Sequence, residues 1–334
     1  MKARIRLGRI FGIRVGLYLS WFIIALLSRR ITDLKAQPVA YSPPASGLAF
    51  HVPSVSTSEN ESARSDKLTG GKIDRSVLAP GDPDIKITVN LPAFLLTLWQ
   101  DGKQVRTYDI GIGRKSHPVP VGERSVSEII FNPNWIPPDS PWVRRSYRVR
   151  AGEVIRAGDP RNPLGKLKLP LGDAYLIHQA ARRSDIGRLV SHGCIRMRKD
   201  DIFDLSEKII QARSLPVSSS QLLNARRSHL RLVVQLNEPL PVDINYDTLV
   251  VEAGTLHVYP DVYGRGKNSV ANLRGELEAE GVNTSIVNDK TLKSMLAQAN
   301  PSSEFVVNIA DIESGRALAA GKAQPLPGHS APRK

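Results

Sequence analysis

The chain contains a single cysteine, Cys194, among 334 residues. An intramolecular disulfide is therefore excluded. Three readings remain for the residue: a small buried side chain, an intermolecular bridge, or a reactive thiol. Histidine is scarce as well. His51, His117, His178, His192, His229, His257 and His329 are scattered, and none stands in a metal-ligand spacing such as HExxH, so no metal site is expected. Aromatic residues amount to 6% and form no stacking motif, and neither a zinc-finger spacing nor a helix-turn-helix pattern occurs. A nucleic-acid partner is therefore not expected, despite a net charge of +14. No internal repeat is present.

Acidic side chains are missing from the first thirty residues, which carry Lys2, Arg4, Arg6, Arg9, Arg14, Arg29 and Arg30. These cations bracket an apolar run over residues 15–27, the shape of a secretory signal or a membrane anchor. Residues 10–28 approach the ~20 needed to span a bilayer if Arg14 snorkels to the headgroups. No small-x-small cleavage site follows directly, so residues 1–30 read as an uncleaved anchor with its N-terminus inside. The rival readings are a signal processed further on, near Ala40, and a buried soluble helix. The seven N-terminal cations leave +7 for the rest of the chain, a modest balance suited to an anionic polymer or a membrane surface. Residues 31–84 are rich in Ser, Pro and Gly and bury too little apolar surface to order themselves, so they read as a flexible linker.

At Ile85 the pattern changes to alternation. Ile85, Ile87, Val89 and Leu91 project one way and Lys86, Thr88 and Asn90 the other, the period of a half-buried strand. Residues 94–99 and 105–110 flank Asp101-Gly102 as a hairpin. Residues 124–131, 147–155 and 174–177 read as further strands. The clearest helix is 200–212, where Ile202, Leu205, Ile209 and Ile210 share a face and Asp200-Asp201 suit the positive N-terminal end. Residues 232–236, 249–251 and 255–259 read as closing strands. Residues 270–280 and 290–298 read as helices and 305–309 as a strand. The expected layout is mainly β: a domain over residues 85–245, a small α/β extension over 246–320, and a disordered tail over 321–334.

The chemistry concentrates around Cys194. His192 and Arg196 flank it, and His178 lies upstream, so a base and a positive field are at hand to make thiolate available. Gly193 permits a tight turn and lets successive N–H groups face a developing oxyanion. The segment Tyr175-Leu176-Ile177-His178, then Ile186-Gly187, then Ser191-His192-Gly193-Cys194-Ile195-Arg196-Met197 resembles the active-site signature of the L,D-transpeptidases, the YkuD-like catalytic domain. Upstream, Ile110-Gly111-Ile112-Gly113-Arg114, Pro120-Val121-Gly122-Glu123, Asn132-Pro133-Asn134-Trp135 and Asn162-Pro163-Leu164-Gly165 resemble the rest of that domain in the same order. The resemblance covers residues 85–242, roughly half of the chain.

The resemblance implies a β-sandwich or barrel with one or two packed helices. It also implies an acyl transfer that needs no cofactor. Cys194 would be the nucleophile and His178 the general base. The thiol would displace a terminal D-amino acid from a peptidoglycan stem peptide, and an amine of a second peptide, or of a wall-attached protein, would resolve the thioester. The N–H groups of Gly193 and Cys194 would form the oxyanion site. His192 would shape the pocket or donate to substrate, or is an ordinary hydrogen-bonded loop residue. Arg196 would hold a substrate carboxylate or brace the loop, and Ser191 would orient the turn. Gln179 departs from the family, where a small residue usually follows the histidine, and it would narrow or re-aim the acceptor side. Trp135 and Trp142, amid Pro137-Pro138 and Pro141, read as a rigid wall or lid, or as ordinary core filling. Two other outcomes stay open: a carboxypeptidase or amidase acting on the same linkages, and a catalytically impaired wall-binding module. The place implied is the periplasm or cell-wall space, membrane-anchored or secreted.

Overall fold

The computed structural model describes residues 85–329 in full and, from the remainder, two short strands, β1 (Arg4–Ile10) and β2 (Ile13–Tyr18), which pair with each other. The rest of the expected anchor and the expected linker lie outside the described residues. Among the described residues no helix is long and apolar enough to cross a membrane.

The alternation at Ile85 forms β3 (Ile85–Asn90), with Ile85, Ile87 and Val89 buried. β4 (Leu95–Gln100) and β5 (Lys103–Gly113) make the expected hairpin, and Asp101 and Gly102 take the positive φ values, 52° and 73°, that a tight turn requires. Then follow β6 (Gly122–Phe131), β7 (Leu167–Pro170), β8 (Leu176–Gln179), β9 (Leu189–Ser191), β10 (Ile195–Met197) and β11 (Leu232–Asn245). Their order is β10-β8-β7-β6-β11-β3-β4-β5, and β10 returns to pair with β5, so eight strands close into a ring with β9 added beside β5. Closure leaves the ring no unpaired edge. The long β11 joins its two halves, antiparallel to β6 and parallel to β3.

Between β6 and β7 the chain leaves the ring as a lid, residues 132–166, bearing the one-turn helix α1 (Pro141–Arg144). The lid has a small core of its own, Val143, Val149 and Ile155, with Trp135 and Trp142 packed against it. Here the strand expected over 147–155 does not form. Only Val149 and Ile155 are buried, Gly152 turns the chain at φ 78°, and pairing is limited to a bridge between Trp135 and Ile155. The asparagines of the two Asn-Pro motifs tie the lid's base. Asn132 Nδ2 donates to the carbonyls of Ala225 and Leu230 at 2.9 and 2.8 Å, and Asn162 Nδ2 donates to Pro133 O at 2.9 Å.

Two helices pack on the ring. In α2 (Lys199–Ala212), Ile202, Phe203, Leu205 and Ile209 are all 0% exposed. Tyr108 donates to Asp204 at 2.8 Å and Arg198 pairs with Asp109 at 2.9 Å, which fasten this helix to β5. The shorter α3 (Ser219–Arg227) begins at a reciprocal cap between Ser218 and Gln221.

After the ring comes a separate four-stranded sheet, in the order β12 (Leu249–Glu252), β13 (Thr255–Val258), β14 (Ser303–Asn308), β15 (Lys322–Pro325). Helices α4 (Val270–Ala279), α5 (Asp289–Gln298), α6 (Ile309–Glu313) and α7 (Ala317–Ala320) complete it around a core that includes Leu256, Leu273 and Met295. Two expectations are corrected here. β12 and β13 do not close the ring, because β10 and β5 already do. The tail is not disordered over 321–329: β15 pairs with β14, and Leu326 is 1% exposed in the ring's own core.

Phe203 links α2 to the ring, 5.7 Å from the Phe131 ring and beneath the Arg226 guanidinium at 4.5 Å. Phe203→Ala is expected to cost about 3–5 kcal/mol, read as a lower urea midpoint at unchanged slope.

Candidate active site

The site begins with two parallel strands. On β8 and β10, Ile177 stands opposite Ile195 and His178 opposite Arg196. Side chains alternate along a strand, so Ile177, Ile195 and Met197 enter the core at 0% exposure. His178 and Arg196 take the other face, and the same two-residue period brings Cys194 to that face just before β10. The ladder thus places His178 on β8 and Cys194 immediately before the neighbouring β10.

The turn before Cys194 depends on glycine. Gly193 has φ +105°, and a Cβ there would fall 2.7 Å from the Tyr175 ring. Ser191 is buried and serves the turn twice: its Oγ accepts from Gly193 N at 3.1 Å, and its hydroxyl donates to the Cys194 carbonyl at 2.5 Å. Gly193 N–H, expected as an oxyanion donor, is therefore engaged inside its own loop.

His178 is 4% exposed, and its Nδ1 lies 2.8 Å from the Gln179 carbonyl. A carbonyl only accepts, so Nδ1 carries the proton and Nε2 keeps a free lone pair. Burial, reinforced by the Arg196 charge, pushes the imidazole down to about 4. Burial pushes the partly buried Cys194 thiol up, against smaller downward pulls from a hydrogen bond with the Leu176 backbone and from Arg196. At neutral pH the resting pair is thus a neutral thiol and a neutral imidazole.

Arg196 braces the loop. Its guanidinium lies 2.8 Å from Asp185 Oδ2, with the two side chains 18% and 12% exposed, so it is committed to Asp185 and not held out to a ligand. Gln179 is a tie: besides its carbonyl's bond to His178, its Oε1 accepts from Lys166 N at 2.9 Å where the lid rejoins β7. His192 points to the lid. Its ring stacks on Trp142 at 4.5 Å and 15°, Trp142 stacks on Trp135 at 6.3 Å, and His117 meets His192 edge-on at 4.9 Å. Trp135 and Trp142 therefore form the wall over the nucleophile loop. Burial first, and then the charge of Arg114, lower the His192 imidazole as well.

Three contributors escaped the sequence reading. Asp185 sits in Arg182-Arg183-Ser184-Asp185, which reads as a solvated turn until β10 brings Arg196 to it. Tyr175 was noted only as part of the motif, although its ring is what restricts position 193. Tyr263, whose hydroxyl reaches Gly113 O at 3.1 Å, lies 150 residues from its partner and gives no local signal.

The buried imidazole sets a pH dependence of stability. Between its ordinary 6.5 and about 4, the unfolded chain takes up a proton at His178 that the folded protein refuses. Its contribution is flat above 6.5 and is lost as pH falls, by about 3 kcal/mol at pH 4. Urea melts of wild type and His178→Gln are expected to show the stability difference shifting by about that amount in the variant's favour from pH 7.5 to 4. A constant difference would mean that the imidazole titrates normally in the fold.

Comparison with known proteins identifies the family. A sequence model of the L,D-transpeptidase catalytic domain, YkuD, matches residues 84–217. The match stops short of β11, which the ring needs for closure. YcfS of Escherichia coli K12, named as a probable L,D-transpeptidase, is 30% identical over 179 residues, covering 51% of this chain and 55% of that protein. The similarity thus spans about half the length of this relative. YqjB of Bacillus subtilis 168, which also carries an L,D-transpeptidase name, is 30% identical over 136 residues, 39% of this chain and 68% of that protein. Among solved structures, the catalytic domain of the E. faecium L,D-transpeptidase is matched over 48% of this chain and 97% of that one, at 18% identity and a TM-score of 0.32. Because YqjB is 30% identical and matched over 68% of its length, the chain belongs to the L,D-transpeptidase family.

Proposed function

We propose that the protein is a cysteine acyltransferase acting on peptidoglycan stem peptides. The observation that carries this reading is the shared face of β8 and β10: an imidazole with a free Nε2 lone pair on β8 and a partly buried thiol just before β10, in a loop whose His192 stacks on Trp142. His178 Nε2 takes the thiol proton as Cys194 Sγ bonds the peptide carbonyl carbon. The carbonyl oxygen's charge is met by the N–H of Cys194. Collapse breaks the C–N bond, and the leaving D-amino acid takes the proton from His178. An incoming amine then forms the new C–N bond, its proton passes to His178, and the sulfur leaves and is reprotonated. One amide is exchanged for another, so the cycle needs no ATP and no cofactor.

The acceptor is a side-chain amine of a second stem or of a wall-attached protein. A neutral resting pair suits such a site, since the charge-separated form arises only when substrate is present to use it. The basic first thirty residues support an anchored protein with its catalytic domain in the periplasm or cell-wall space.

Intact-protein mass after incubation with purified tetrapeptide stems tests the reading. Wild type is expected to gain an acyl adduct that is passed on when a diamino-acid acceptor is added. Cys194→Ala is expected to form no adduct, with turnover lower by on the order of 10⁶. His178→Ala is expected to slow acylation by about 10²–10⁴. Adduct loss in water as fast as with amine would instead assign a hydrolase. Polymer binding without any adduct would leave a binding module.

A further inference from the structure

We propose that Tyr263, from the segment after the ring, is a positioning residue that holds the nucleophile loop in place. Its importance for acyl transfer rests on the function proposed above. The hydroxyl of Tyr263 donates to Gly113 O at 3.1 Å and accepts from Val119 N at 3.2 Å, so one phenol pins both ends of the loop 113–119. That loop flanks the nucleophile on two sides. Gly113 is the register partner of Ser191, and Arg114 N donates to Ser191 O at 3.0 Å. His117, within the loop, is the ring that stands edge-on to His192. Ser191 then holds Gly193 and Cys194 through its own hydroxyl. The path from Tyr263 to Cys194 thus runs through a backbone carbonyl, a strand pair and a side-chain hydroxyl.

Tyr263 is itself held from several directions. Its ring stacks on Tyr246 at 5.5 Å and 14°, and the Arg265 guanidinium lies over both rings, 4.5 Å from Tyr246 and 5.4 Å from Tyr263. Tyr263 N donates to the Tyr246 hydroxyl at 2.7 Å, which donates to Asp261 at 2.6 Å. Asp261 also accepts from the backbone N–H of Arg265 at 2.8 Å and of Lys267 at 3.2 Å. A turn bonded this densely fixes the phenol's position. Burial pushes that phenol up to about 12, so it stays protonated and able to donate.

Residues 326–329 make a second contact with the ring. Leu326 enters the ring's core, and the following residues cross Gly187 so closely that a Cβ there would fall 1.6 Å from Pro327 O. His329 Nε2 lies 3.3 Å from Gly187 O. Gly187 in turn donates to Ile110 O at 2.9 Å, two residues after the Asp185 that pairs with Arg196. The extension therefore contacts the ring at Gly113 and Val119 through Tyr263 and at Gly187 through residues 327–329.

Tyr263→Phe keeps the ring stack and removes only the hydroxyl. In this variant, amide hydrogen exchange over residues 113–119 and 191–194 is expected to quicken about tenfold, with α4 unchanged. Acylation by tetrapeptide stems is expected to slow about tenfold with little change in KM, while alkylation of Cys194 by iodoacetamide, which needs no oriented carbonyl, keeps its wild-type rate. Unchanged exchange in those loops would overturn the proposal, and so would acylation and alkylation falling together. If wild type itself forms no acyl adduct, the proposed function fails, and hydrogen exchange alone decides whether Tyr263 holds the loop.

Discussion

Everything at the site depends on the parallel pairing of β8 with β10. Three residue pairs, Ile177 with Ile195, His178 with Arg196 and Gln179 with Met197, set the register. A slip by one residue would turn Ile195 and Met197 outward and put Cys194 and Arg196 into the core. Burial of Ile177, Ile195 and Met197 at 0% exposure makes that slip costly, so the apolar face guards the geometry of the polar one. Closure of the ring adds a second restraint, since β10 pairs with β5 as well, at Arg196 with Gly111 and Met197 with Ile110.

On that frame the lid and the nucleophile loop are coupled. Gln179 bonds His178 through its carbonyl and Lys166 through its side chain, so the residue that fixes the imidazole tautomer also fixes the end of the lid. The other end is set by Asn132, which is fully buried and binds the carbonyls of Ala225 and Leu230 beside α3. Between them, Trp142 lies against His192. The departure from the family at position 179 therefore has a structural use: a glycine there could supply the carbonyl but not the amide that grips Lys166.

Local physics made much of this legible in the sequence. Asp101-Gly102 carries its turn in its own φ preferences, and α2 shows its buried face in the spacing of Ile202, Leu205 and Ile209. Thiol chemistry singles out the segment around Cys194 but leaves His178 and His192 both near it, and it is the resemblance to the L,D-transpeptidase signature that points to His178. The misses share a cause. β15 is fully exposed along its length and is a strand only because β14 supplies partners, and Tyr147 to Ile155 alternates without an opposite strand to meet. α3 is different: Ser218 and Gln221 spell a capping box that the reading passed over. The long-range hydroxyl of Tyr263 and the bridge from Asp185 to Arg196 exist only once the strands have brought distant residues together.

In the acyl transfer proposed here, the electrostatics of the site would hold the charge-separated form back until substrate arrives. Arg196 disfavours a charged His178 and favours a thiolate at Cys194, while burial disfavours both charges. Asp185, 2.8 Å from Arg196, partly neutralises the guanidinium's field, so burial outweighs its pull at Cys194, while at His178 burial and Arg196 act in the same direction. Moving the thiol proton to Nε2 creates an imidazolium and a thiolate together, so no net charge enters the buried site. That separation becomes affordable once a carbonyl carbon takes up the sulfur's electrons and its oxygen's charge is met by a backbone N–H. The same Arg196 whose charge adds to burial in disfavouring a charged His178 would favour the sulfur's negative charge in the proposed attack, and Asp185 holds it in place for both.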